Sequence, residues 1–86
     1  MDTMTHTQTP VATNLLGEMI RAARKLSGFS NRVDFAAKLD VDPSTVKRWE
    51  NGRNLPRVEN LVEIAQLTGR PVNDFMAALR AQRKAK

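Results

Sequence analysis

The chain of 86 residues contains no cysteine, so neither a disulfide nor a thiolate metal site can support its small core, and packing and helix caps must hold the fold. A reducing compartment is compatible with that absence. The one histidine, His6, stands near the start of the chain, and Asp34 and Asp42 are accounted for as helix caps, which leaves no constellation for acid–base, nucleophilic or metal chemistry. The four glycines, at 17, 28, 52 and 69, are dispersed, and three of them follow helical runs, so they read as helix ends and not as a phosphate-cradling loop. Nor does any apolar stretch approach the roughly 20 residues needed to cross a bilayer. The first residues lack the basic start and apolar run of a signal peptide and carry Asp2 and several threonines instead. We therefore expect a cytoplasmic protein with no membrane association, no cofactor, no metal and no enzymatic activity.

What the chain does have is positive charge. Fourteen Lys and Arg stand against nine Asp and Glu, a formal net charge of +5. The excess is localised: residues 21–57 hold nine basic and four acidic side chains, whereas residues 58–76 hold only Arg70 against Glu59, Glu63 and Asp74. A one-sided basic surface favours a polyanionic partner.

Apolar periodicity predicts an all-α fold of five helices. Residues 1–12, rich in Thr and carrying Pro10, have no such periodicity and read as a disordered arm; residues 13–82 read as one domain and residues 83–86 as a basic tail. In the first helix Leu16, Met19, Ile20, Ala23 and Leu26 follow helical spacing up to Gly28. Gly17, inside this helix, costs about 1 kcal/mol relative to Ala and marks either a close helix contact or a tolerated defect. Asn31 with Asp34 resembles a capping box opening a short second helix, whose buried stripe would be Val33, Phe35, Ala36 and Leu39. A fourth helix carries Val58, Leu61, Val62, Ile64, Ala65 and Leu67 and ends at Gly69. In the fifth, Phe75, Met76 and Leu79 supply more apolar surface than one small core obviously needs, which points to a dimer contact. The basic groups at its end suit the helix dipole.

The third helix is the most informative. Asp42 can cap its start, Pro43 suits the first helical position, and Gly52 can take the left-handed conformation that closes the other end. Between these signals Val46 and Trp49 share an apolar side. Ser44, Lys47, Arg48 and Asn51 point elsewhere, with donors that match base edges and phosphates. Only Asp40 and Val41 separate this helix from the second, the tight connection expected of a helix-turn-helix.

These residues resemble the lambda-repressor-like, Xre-type helix-turn-helix family over roughly Leu16 to Met76. The resemblance is carried by Ile20, Arg21 and Arg24, then Phe35, Ala36, Leu39 and Val41, then Ser44 to Gly52 except Lys47, with Pro56, Glu59, Asn60, Leu61 and Ala65 following. Two positions depart from the pattern. Asp40 stands where a glycine is common and would have to accept a left-handed or strained turn. Arg32 stands where the family often has glutamine, which shifts its role toward a phosphate.

The resemblance implies a five-helix DNA-binding domain whose second and third helices form the binding unit. It implies base contacts from Ser44, Lys47 and Arg48, with Arg48 foremost because a guanidinium can donate two bonds to one guanine. It implies backbone contacts from Arg32, Thr45, Asn51, Arg53 and Asn54, with Arg57 a weaker candidate. Trp49 and Glu50 belong to the scaffold, with Glu50 expected to form a structural ion pair with Arg24. The function implied is a sequence-specific regulator of transcription that binds double-stranded DNA as a homodimer at a two-fold operator. Repression is the expected sign, and the expected setting a phage, plasmid or integrative element. The alternative is an antitoxin or antiactivator acting mainly through a protein partner.

Overall fold

The computed structural model describes residues 14–84, which form five α-helices and, among the described residues, no strand: α1 Leu15–Leu26, α2 Arg32–Leu39, α3 Pro43–Glu50, α4 Val58–Thr68 and α5 Val72–Lys84. The arm expected at residues 1–12 lies outside the described residues. Helix α5 continues through Lys84, into the stretch read as a tail.

Local chemistry sets the helix ends. Asn31 Oδ1 accepts the amide of Asp34 at 3.0 Å, half of the anticipated capping box. Asp42 Oδ1 accepts both the amide of Ser44, at 2.9 Å, and its hydroxyl, at 2.7 Å. These two bonds, the amide's first, hold the Asp42 carboxyl below its ordinary pKa, with a smaller contribution from the positive charge of Arg48. Pro43 occupies the first turn of α3, where no amide donor is required. Between α2 and α3 the backbone turns through Asp40 at φ 59° and ψ 44°, the left-handed conformation that the missing glycine would have taken. The amides of Asp40 and Val41 there donate to the carbonyls of Ala37 and Ala36 at 3.2 and 3.0 Å, so the tight turn leaves neither donor unpaired.

All five helices contribute to one core. Leu16 and Ile20 of α1, Phe35 of α2, Val46 and Trp49 of α3, Leu61 and Ile64 of α4, and Phe75 and Leu79 of α5 are buried together. Phe29, in the connector after α1, meets Phe35 edge to face with ring centroids 5.4 Å apart, which pins that connector over α2. At the other end of the core Gln82 of α5 accepts the amide of Leu16 at 2.7 Å, so the last helix satisfies one of the free donors at the start of the first.

Some apolar residues lie elsewhere than periodicity suggested. Val33 is 60% exposed, because Phe35, Ala36 and Leu39 already define the inward face of an eight-residue helix and Val33 projects well to one side of it. Leu26 is 84% exposed at the last position of α1, off the face that carries Leu16, Ile20 and Ala23. Val58 and Val62 lie along an exposed edge of α4. The reading of Phe75, Met76 and Leu79 as surplus apolar surface is corrected: Phe75 and Leu79 lie inside the core of a single chain and Met76 packs partly against it. The core needs them because α5 closes it over α1 and α4.

Candidate nucleic-acid interface

Helix α3 divides sharply between scaffold and solvent. Val46, Trp49 and Glu50 are buried; Ser44, Lys47 and Arg48 are exposed, and Thr45 is half-buried. Asn51, Arg53 and Asn54, in the loop that follows, are exposed as well. This loop folds back on the last turn of α3. The amide of Gly52 donates to Trp49 at 3.2 Å, and those of Arg53 and Asn54 donate to the Arg48 carbonyl at 2.9 and 3.4 Å. Gly52, at φ 79°, supplies the left-handed residue this reversal requires. The backbone of Arg53 and Asn54 is thereby held against the last turn of α3. Among the described residues none of Lys47, Arg48 and Arg53 forms a salt bridge, although the charge of Arg48 acts on the Asp42 carboxylate from a distance. Ser44 differs from them in that its hydroxyl donates to Asp42.

Behind this surface α3 is held by a buried carboxylate. Glu50 Oε2 accepts from Nε of Arg24 at 2.7 Å, and Oε1 accepts from Nη2 of the same guanidinium at 3.3 Å. Arg24 Nη1 donates to the carbonyl of Phe29 at 2.8 Å, so α1, the connector and α3 meet at one guanidinium. A second arginine joins them. Nε of Arg32, at the start of α2, donates to Glu50 Oε1 at 2.9 Å. Arg32, Arg24 and Glu50 thus form a triad across three helices, whereas the sequence suggested separate roles for Arg32 and for the other two.

Two further contacts were not foreseen. Asn14 Nδ2 donates to the carbonyl of Glu50 at 3.1 Å, capping the last turn of α3 from the start of α1. Gly17 explains how the two helices come so close. A Cβ at Gly17 would lie 2.5 Å from the carbonyl oxygen of Trp49 and 2.7 Å from that of Glu50. Of the two readings open for this glycine, the close helix contact is the one observed. Backbone oxygens cannot rotate aside, so Gly17→Ala should lower stability by about 1 to 3 kcal/mol despite the better helix propensity of alanine. A thermal melt at or above that of the unaltered protein would show that α1 and α3 have room to separate.

No group of His, Cys, Asp and Glu among the described residues could hold a metal ion, and no described helix is long and apolar enough to cross a membrane. A protein-family model described as helix-turn-helix matches residues 20–75, well over half the chain, from the middle of α1 to the first turn of α5. No curated protein and no solved structure matches the chain.

Proposed function

The chain belongs to the Xre and lambda-repressor-like helix-turn-helix family of DNA-binding transcriptional regulators, and from that premise we propose a repressor that binds a two-fold operator as a homodimer. The observation that carries this reading is the division of α3: its inner side is fixed by Val46, Trp49 and Glu50, while Ser44, Lys47 and Arg48 are exposed, as is Arg53 in the loop that follows. A helix anchored on one side and rich in donors on the other suits the major groove. One helix of this length spans few base pairs. Two copies related by a two-fold axis would set their α3 helices about 34 to 36 Å apart, one turn of DNA, or a multiple of that, and so read enough sequence to select a site. Occupying a promoter in this way blocks transcription with no further chemistry.

Base readout is proposed for Arg48, with Ser44 and Lys47 beside it, and grip on the DNA backbone for Thr45, Asn51, Arg53 and Asn54. Arg48→Ala should weaken binding to the preferred operator by about 1 to 3 kcal/mol, and by much less on an operator changed at the contacted base pair. Arg53→Ala should weaken binding to all duplexes alike and make the slope of log affinity against log salt shallower by about 1, since one fewer counterion-releasing contact remains. Titrations of matched and single-base-changed duplexes at several salt concentrations separate the two effects. Unchanged base preference in Arg48→Ala would move the readout to Ser44 or Lys47. Binding by the unaltered protein that is weak and indifferent to sequence would instead favour a role exerted through a protein partner.

A further inference from the structure

We infer that Glu50, although buried, positions Arg32 for a contact with the DNA backbone, so that one carboxylate serves both to fix α3 and to aim a cation on α2. The inference rests on the DNA-binding reading and starts from a redundancy. Arg24 alone already satisfies the carboxylate, with one bond to each oxygen, and its remaining terminal nitrogen is taken by Phe29. That pair is neutral and 3% or less exposed. Arg32 adds a second guanidinium to the same oxygen and leaves the triad with a net positive charge.

The charge is poorly placed for stability. Arg32 is the first residue of α2, where the helix dipole is positive and a cation is unfavourable. Its side chain is 30% exposed, so the bond to Glu50 is partly screened by solvent and offsets little of that placement. What the arrangement does achieve is direction. Glu50 holds Arg32 through Nε, the inner nitrogen, and neither terminal nitrogen of Arg32 has a protein hydrogen-bond partner among the described residues. A guanidinium tethered at Nε loses much of its rotational freedom while keeping the two nitrogens best suited to grip a phosphate. The conformational entropy that a free arginine gives up on binding is lost beforehand, in the folded protein. Glu50 belongs to the last turn of α3, so the aim of Arg32 is set by the same residue that fixes the reading helix.

The test is a double-mutant cycle in DNA affinity, using a fluorescent duplex selected from random sequence by the unaltered protein. Circular dichroism establishes that each variant is folded at the assay temperature. Arg32→Gln should weaken binding about ten-fold, the range of one charge-assisted bond, and make the salt slope shallower by about 1. Glu50→Gln should weaken binding markedly more when Arg32 is present than in the Arg32→Gln background, where only the loosened Arg24 pair behind α3 is left to matter. Equal losses in both backgrounds would assign Glu50 a structural role alone and overturn the inference, as would wild-type affinity in Arg32→Gln. Should Glu50→Gln fail to fold, Arg32→Lys decides: lysine keeps the charge but has no inner nitrogen to tether. Weaker binding with an unchanged salt slope supports the inference, and wild-type affinity overturns it. An unaltered protein that binds no duplex would overturn the DNA-binding reading itself, whereas duplex binding that ignores Arg32 would overturn only the role given to Glu50.

Discussion

Replacing Glu50 with alanine is expected to destabilise the domain by about 3 to 5 kcal/mol, because the substitution leaves the guanidinium of Arg24, 3% exposed, without its counter-ion. Domains of this size are stable by only about 5 to 15 kcal/mol, so the loss is a large fraction of the whole. The geometry also ranks the related substitutions. Arg24→Ala should be less damaging than Glu50→Ala, since the carboxylate keeps Arg32 at 2.9 Å. Arg32→Ala should be mildest, at about 1 kcal/mol or less, because that side chain is partly exposed and leaves a complete pair behind. Urea titrations of the three variants give the order directly. A loss below about 1 kcal/mol for Glu50→Ala would mean that water reaches the triad, and Arg32→Ala as the worst of the three would reverse the assignment of which arginine carries the structural load.

Phe75→Ala should cost about 3 to 5 kcal/mol, as expected for a large aromatic ring removed from a closed core. Phe75 is buried within one chain, among residues of the core to which all five helices contribute. The loss should therefore be independent of protein concentration. A residue at a contact between copies would behave differently: dilution would separate the copies of the unaltered protein, and the difference between it and the variant would shrink. Melts recorded over a hundred-fold range of concentration distinguish the two cases. A strongly concentration-dependent difference would return Phe75 to the dimer surface from which the structure removes it.

That reversal shows where sequence reading stopped. Helix ends were legible because they depend on neighbours in the chain: Asn31 and Asp42 bond amides two or three residues away, and Asp40 meets a backbone demand set by the short turn itself. The exposed side of α3 was legible for the same reason, since two apolar residues three apart orient a helix of eight residues. An apolar count cannot say whose core a residue enters, so Phe75 and Leu79 were consistent with either a chain's own interior or a partner's. Arg32 could not be matched to Glu50, 18 residues away, because Arg24 already provided that acid with a partner. The bonds from Asn14 to Glu50 and from Gln82 to Leu16 join side chains to backbone atoms across 36 and 66 residues, and no periodicity records such contacts. Gly17 came closest to being read, as one of two alternatives that only the spacing of α1 and α3 could separate.

The separation of α3 into an anchored side and a free side also bears on how such a protein changes over generations. Lys47 and Arg48 are exposed, and replacements at positions of this kind typically alter stability by no more than about 0.5 kcal/mol. Mutation can therefore sample new side chains there without endangering the fold, whereas Val46, Trp49 and Glu50 are held in place by the other helices. Ser44 is less free, because its hydroxyl shares the cap on Asp42. If Lys47 and Arg48 read bases as proposed, a population carrying this scaffold could drift from one target sequence to another through these two exposed positions, and randomising the same pair should retarget the protein while leaving the frame untouched.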